Sequence, residues 1–175
     1  MQKNIRRVGR DMIYTEVELY RFLDEHGIAY QRIEHPPVFT CEQADQYRAG
    51  LPGVSTKNLF LRDKRRRFYL VMTACGKKLD LKKLGQALHA PKLHFGSTES
   101  LLELLYLTPG SVTVLGLVND FSHQVELWID EAIWGEECFL CHPLVNTATL
   151  VLTKADLMRF FNLSGHVIHF ISGVE

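Results

Sequence analysis

The chain has 175 residues, 46% of them hydrophobic and 23% charged, with a formal net charge of zero. That composition excludes a disordered or fibrous chain and fits one globular domain with a core of its own. No apolar run approaches the roughly 18 residues needed to cross a bilayer.

The expected elements follow in chain order. Residues 1–14 form a basic extension that leads into no apolar stretch, so it is not read as a secretory signal. The expected compartment is the cytoplasm, where Cys41, Cys75, Cys138 and Cys141 are expected as reduced thiols. The remainder, 15–175, reads as one domain. Residues 15–26 form a helix with Thr15 as N-cap, Glu18 three residues on, and Gly27 as its stop. A strand covers 28–33 and is broken by Pro36 and Pro37. A short helix covers 41–48. Residues 54–61 and 68–73 pair as a hairpin with a basic turn. Helices follow at 80–88, capped by Asp80, and at 98–105, capped by Ser97 or Thr98. Residues 107–120 read as loop and strand, broken by Pro109, Gly110 and Gly116. Strands at 124–129 and 147–152, a helix at 154–161 and a short strand at 167–171 complete the chain. Mixing without strict alternation predicts an α/β class of the mixed α+β kind, not a doubly wound sheet.

The neutral total conceals two opposite halves. Residues 1–92 carry 18 Lys and Arg against 10 Asp and Glu, a net of +8; residues 93–175 carry 2 against 10, a net of −8. Arg62, Lys64, Arg65, Arg66 and Arg67 form one cluster, and Lys77, Lys78, Lys82 and Lys83 another. Such clusters attract phosphate backbones; equally, they are what a solvated hairpin tip and helix face require.

Four features bear on chemistry. Cys138-x-x-Cys141-His142 has the spacing that attaches a c-type haem. Covalent haem follows export, which nothing here signals, and a structural zinc needs four ligands where this motif offers one thiolate pair. Two small semi-buried thiols flanking a turn remain as the plain reading. Thr108-Pro109-Gly110-Ser111-Val112-Thr113 is a tight turn whose backbone N–H groups suit an oxyanion or a carbonyl. Lys57, beside Asn58 inside a strand pattern, either snorkels to the surface or points into a cleft and binds an anion. His142 and Asn146 place an imidazole and an amide at the mouth of a strand. No serine, cysteine or carboxylate close in sequence forms a nucleophile triad with them.

These motifs occur together in a recognisable order: His35-Pro36-Pro37-Val38-Phe39-Thr40; Lys57-Asn58-Leu59-Phe60-Leu61; Leu107 to Thr113 with Leu115-Gly116-Leu117-Val118-Asn119-Asp120; and His142-Pro143-Leu144-Val145-Asn146-Thr147-Ala148-Thr149. The chain resembles the YbaK-type aminoacyl-tRNA editing domains, in the branch of free-standing prolyl-tRNA-synthetase-associated domains that deacylate Ala-tRNA(Pro). The resemblance runs over about 15–170.

It implies a single compact domain with a central mixed, mostly antiparallel sheet surrounded by helices. It also implies a trans-acting hydrolase that cleaves the aminoacyl ester of mischarged tRNA(Pro) with a positioned water, assisted by the terminal hydroxyl of the tRNA. By this resemblance Lys57 holds the 3′-terminal nucleotide, and Gly110, Ser111 and Val112 present N–H groups to the ester carbonyl. His142 and Asn146 shape the pocket near the terminal adenosine, and Val38, Phe39 and Thr40 form part of its wall. Asn58, Thr113, Asn119 and Thr147 complete the expected substrate contacts, and Arg62, Lys64, Arg65, Arg66 and Arg67 the contact to the acceptor stem. The implied partners are tRNA and a prolyl-tRNA synthetase; no cofactor, metal, haem or membrane is implied. Two departures stand out. Val114 replaces the proline that usually ends the glycine loop, which is expected to loosen it, and Cys141 replaces a bulky aromatic before the His-Pro step. Deacylation of another mischarged tRNA (a Cys-, Ser- or Thr-ester), or a non-catalytic tRNA- or synthetase-binding module, remain as alternatives.

Overall fold

A computed structural model describes residues 12–175. The expected basic extension falls largely on residues 1–11, which lie outside the described residues. Helix α1 (Glu16–Glu25) opens where Thr15 N–H donates to the Glu18 carboxylate (3.2 Å). Its end is closed by Ile28 N–H donating to Leu23 C=O (2.9 Å), with Gly27 at φ +62°. Ile28 therefore belongs to the helix stop, and β1 (Gln31–Glu34) starts three residues later than expected. Helix α2 (Cys41–Arg48) is capped by Thr40, whose Oγ1 accepts from Gln43 N–H (3.2 Å).

The hairpin β2 (Val54–Arg62) and β3 (Phe68–Ala74) forms as expected. Helix α3 (Leu81–Ala87) is capped by Asp80, and α4 (Thr98–Leu105) by Ser97. A two-residue strand β4 (His94–Phe95) lies between them. Strand β5 (Val125–Asp130), helix α5 (Glu131–Trp134), strands β6 (Cys138–Cys141) and β7 (Ala148–Thr153), helix α6 (Lys154–Ser164) and strand β8 (Ile168–Ile171) follow.

The strands form one sheet in the order β1-β7-β6-β2-β3-β5-β8, with β4 on β2. The pairs β1·β7, β6·β7, β2·β3 and β2·β4 are antiparallel; β2·β6, β3·β5 and β5·β8 are parallel. The expected mixed α/β domain is what forms. Strand β3, between β2 and β5, is mostly apolar because both faces are covered; buried Thr73 is the exception, its Oγ1 donating to Asp130 (2.7 Å). Leu70 and Met72 join a core with α1, α4 and α6, while Tyr69 and Val71 pack with Leu84 of α3 and with Leu88 at its C-cap.

Two expectations are corrected. Residues 107–120 contain no strand: Val114–Asn119 is a 3-10 turn. Gly116 there passes so close to Leu107 that a Cβ would stand 2.6 Å from its Cδ1. Cys138 and Cys141 do not flank a turn but bound strand β6.

One feature of the sheet positions the site. Strand β6 pairs with β2 only at Val54 and Ser55, and β4 only at Leu61 and Arg62. Between them, the edge of β2 at 56–59 has no strand partner. A cleft opens there in an otherwise continuous sheet.

Candidate functional site

A cavity of about 180 Å³ fills that cleft, below the roughly 300–1,000 Å³ of drug-sized sites. Thr56, Lys57 and Asn58 of β2 form one side, Val38, Phe39 and Thr40 another, and Gly110, Val112 and His142 the rest, with Cys41, Arg48 and Cys75 also lining it.

The wall at 38–40 is pinned by reciprocal bonds. Val38 N–H donates to Asn146 C=O (3.1 Å), and Asn146 Nδ2 donates to Val38 C=O (3.0 Å). Phe39 N–H donates to the Gln43 side chain (2.8 Å). Asn146 therefore supports the wall and does not line the cavity.

The turn at 108–112 presents donors. Ser111 N–H is taken by Thr108 C=O (3.1 Å), so it is not offered to a ligand. The N–H groups of Gly110 and Val112 have no acceptor among the described residues, and both residues line the cavity. Gly110 has φ +89°, a conformation that favours glycine.

Three side chains carry the electrostatics. Burial holds the Lys57 ammonium below its ordinary pKa, with Glu42 opposing weakly. Burial likewise lowers His142, with the positive charge of Arg48 and nearby His35 adding to it, against a hydrogen bond to Ala148 C=O. That bond (2.9 Å) makes Nδ1 the protonated nitrogen, since a carbonyl only accepts. The lone pair of neutral His142 is therefore on Nε2. Asn58 Oδ1 is buried with no partner, an acceptor waiting for a donor.

The remaining expected site residues lie elsewhere. Thr113 is buried and caps the 3-10 turn, its Oγ1 accepting from Leu115 N–H (3.3 Å). Asn119 binds the backbone of Tyr14 through both side-chain atoms (2.8 and 3.0 Å). Thr147 contributes its carbonyl to His35 N–H (3.0 Å). None of the three lines the cavity. In the basic cluster, Arg67 is committed to buried Asp63 (2.8 Å) and to His89 C=O (2.8 Å). Arg62 lies over Phe68, while Lys64, Arg65 and Arg66 are exposed. Lys57 and Arg62 stand five positions apart along β2, about 17 Å.

Arg48, Cys41, Cys75 and Thr56 were not expected at the site. Arg48 ends a helix, where a basic residue ordinarily reads as a complement to the dipole. Cys41 and Cys75, expected as isolated reduced thiols, are bonded to each other across 34 residues. Cys141 is fully buried, and burial pushes its thiol up to about 12.

The profile of the aminoacyl-tRNA editing domain family matches residues 35–160, a span that contains every residue lining the cavity. The chain belongs to this family. It is 40% identical over 151 residues to a zebrafish (Danio rerio) protein named prolyl-tRNA synthetase associated domain-containing protein 1, covering 85% of this chain and 82% of the relative. It is 39% identical over 145 residues to the prolyl-tRNA editing protein ProX of Acetoanaerobium sticklandii, covering 82% and 88%. Among solved structures, a candidate trans-editing enzyme for prolyl tRNA synthetase superposes with a TM-score of 0.67 at 19% identity, covering 91% of this chain and 98% of that one. The hypothetical protein APE2540 gives 0.69 at 16%, covering 89% and 98%. At those identities the structures show a shared fold. Among the described residues no helix is long and apolar enough to cross a membrane.

Proposed function

We propose that this editing domain is a trans-acting deacylase of mischarged tRNA(Pro), with Ala-tRNA(Pro) as its substrate. The observation that carries the reading is the convergence, around one small cavity, of two free backbone donors at Gly110 and Val112 with Lys57 and Asn58 of β2. An aminoacyl ester has the complementary groups: a carbonyl oxygen that becomes an oxyanion, and an α-ammonium.

In this reading the Gly110 and Val112 N–H groups receive the developing oxyanion. Asn58 takes the α-ammonium, and Lys57 the 3′-terminal nucleotide. A water attacks the ester carbon, and the ester C–O bond breaks. The departing ribose oxygen takes up a proton, giving free alanine and intact tRNA. In this reading the terminal ribose's free hydroxyl positions the water, and His142 Nε2 accepts the water's proton and returns it to the departing ribose oxygen. The fixed wall of Val38, Phe39 and Thr40 supplies the sieve. A synthetase pocket for proline rejects the smaller alanine by only about 1–3 kcal/mol per missing methylene, whereas a small editing cavity admits alanine and excludes proline by size. Exposed Lys64, Arg65 and Arg66 extend toward the acceptor stem, and a prolyl-tRNA synthetase is the natural partner supplying the substrate.

A second reading has one observation in its favour. Thr56 and Arg48 give the cavity polar lining, which suits a seryl or cysteinyl side chain better than a methyl group. A deacylation panel decides between them: Ala-, Ser-, Cys-, Thr- and Pro-tRNA(Pro), with Lys57→Ala as control. Selective loss of the alanyl ester is expected, with the prolyl ester spared. Preference for the seryl or cysteinyl ester establishes the second reading, and binding without turnover of any ester defeats both.

A further inference from the structure

We propose that Cys41 and Cys75 form a thiol–disulfide exchange site in the wall of the substrate cavity, reacting with low-molecular-weight disulfides and thiols of the glutathione class. The inference that the exchange alters editing rests on the deacylase reading above; the exchange chemistry itself does not.

Three observations converge. The two Cα atoms are 5.7 Å apart with the sulfurs bonded, ordinary disulfide geometry. Both cysteines are partly exposed and line the cavity, so a small thiol can reach the bond. Arg48, at the far end of the helix that begins with Cys41, places Nη1 3.6 Å from Cys75 Sγ. Arg48 is 94% buried, makes no ion pair among the described residues, and leaves its Nε without a partner. A buried guanidinium without a counter-ion is costly. Reduction supplies one, because a Cys75 thiolate would stand against it. Cys41, first residue of an eight-residue helix capped by Thr40, faces the positive end of the helix dipole. Both thiolates thus have stabilising surroundings, the property of exchange-active cysteines. Cys141 lacks it.

The chemistry balances without a cofactor. One cysteine thiolate attacks a small disulfide, whose S–S bond breaks. A mixed disulfide forms and one small thiolate leaves. The second cysteine thiolate then attacks the protein sulfur of that mixed disulfide and expels the second small thiolate. The protein pair loses two electrons, the small disulfide gains them as two thiols, and the two cysteine protons pass to the departing thiolates. Excess small thiol runs the sequence backward. The bond ties the start of α2 to the residue after β3, beside the wall formed by Phe39 and Thr40. Reduction removes that covalent tie and leaves the wall to its hydrogen bonds with Asn146, Gln43 and Ala44 and its contact with Gly110.

The test uses the full chain in glutathione buffers of graded ratio, followed by acid quench, alkylation and mass spectrometry. The Cys41–Cys75 peptide is expected to appear and disappear with a two-electron dependence while Cys138 and Cys141 stay unchanged. Cys41→Ser and Cys75→Ser are each expected to trap a glutathione adduct on the remaining partner. Arg48→Met is expected to slow alkylation of the reduced pair about tenfold, with Arg48→Lys retaining most of the rate. Thiols free at every ratio, or a bond that survives excess thiol in the native protein, overturns the proposal. In the deacylation assay KM of the reduced form is expected to rise three- to tenfold; equal KM in both forms overturns the link to the cavity. Absence of deacylation in both forms, with the thiol titration intact, counts against the deacylase reading and leaves the exchange site standing.

Discussion

Phe39 lies against Gly110 so closely that a Cβ built on the glycine would stand 3.0 Å from the ring's Cδ1. The cavity wall and the donor turn are thus fitted to each other at one point. The same glycine holds φ +89°, so a side chain there meets both a contact and a backbone penalty. Gly110→Ala is expected to destabilise the fold by about 1–2 kcal/mol and to lower kcat/KM for the alanyl ester at least tenfold, because the Gly110 N–H shifts from the oxyanion position. Thermal melting and steady-state deacylation measure the two effects separately.

His142 is the group expected to set the pH response. Its folded pKa is lowered, chiefly by burial and further by Arg48 and His35, so the unfolded chain binds the proton more readily. The sign follows: stability rises with pH where the unfolded state holds more protons. His142's contribution is present above the unfolded value of about 6.5 and is lost as pH falls from there through the lower folded value. Deacylation is expected to be flat near neutrality and to decline below the folded value as Nε2 is protonated. His142→Gln is expected to remove that acid limb and cost about 10²-fold in rate; a pH profile unchanged by the substitution rejects a proton-accepting role.

The basic hairpin tip divides into two kinds of residue. Arg67 neutralises buried Asp63, whose carboxylate also accepts the N–H groups of Arg65 and Arg67 (2.8 and 2.9 Å). Arg67→Ala is therefore expected to lower stability by about 2–4 kcal/mol by leaving that charge buried. The triple change of Lys64, Arg65 and Arg66 to Ala is expected to leave the melting temperature unchanged. It should weaken tRNA binding and reduce the salt slope of log affinity by about two to three. Filter binding over a salt series checks it, and an unaltered slope removes these three from the tRNA contact.

Much of this was legible in advance. The caps Thr15, Asp80 and Ser97, the hairpin and the order of the helices followed from local chemistry and period. The pocket's three walls were visible as motifs, at Val38 to Thr40, Lys57-Asn58 and Gly110 to Val112. What could not be read is what depends on register and long-range contact. Asn119 and Thr113 look like polar loop residues in the sequence; only the fold brings Asn119 to the backbone of Tyr14 and turns Thr113 into a cap. Ser111 N–H is lost to a turn bond that its residue type does not announce. Arg48 and the Cys41–Cys75 bond join positions 27 and 34 residues apart, and no local pattern marks either one. Strand β6 was hidden by a Cys-x-x-Cys spacing suggestive of ligands.

The departure at Val114 has a structural answer. Val114 is fully buried and opens the 3-10 turn, which Thr113 caps. Its N–H has no hydrogen-bond partner among the described residues, the first position of a helix accepts proline, and Thr113 before it is extended at φ −150°, ψ 147°, as a residue preceding proline must be. Val114→Pro is expected to be neutral or stabilising by up to about 1 kcal/mol, with deacylation within threefold of the parent chain. A loss of more than 2 kcal/mol in denaturant unfolding contradicts this account.

The unpartnered edge of β2 at 56–59 also bears on solubility. A strand edge with free backbone groups is a template for a stray strand from another molecule, and native sheets guard such edges with lysine. Lys57 stands in the middle of this one. A chain that loses it loses a guard against self-association as well as the proposed ligand contact, so Lys57→Ala protein should be assayed fresh and at low concentration, with light scattering beside the activity trace.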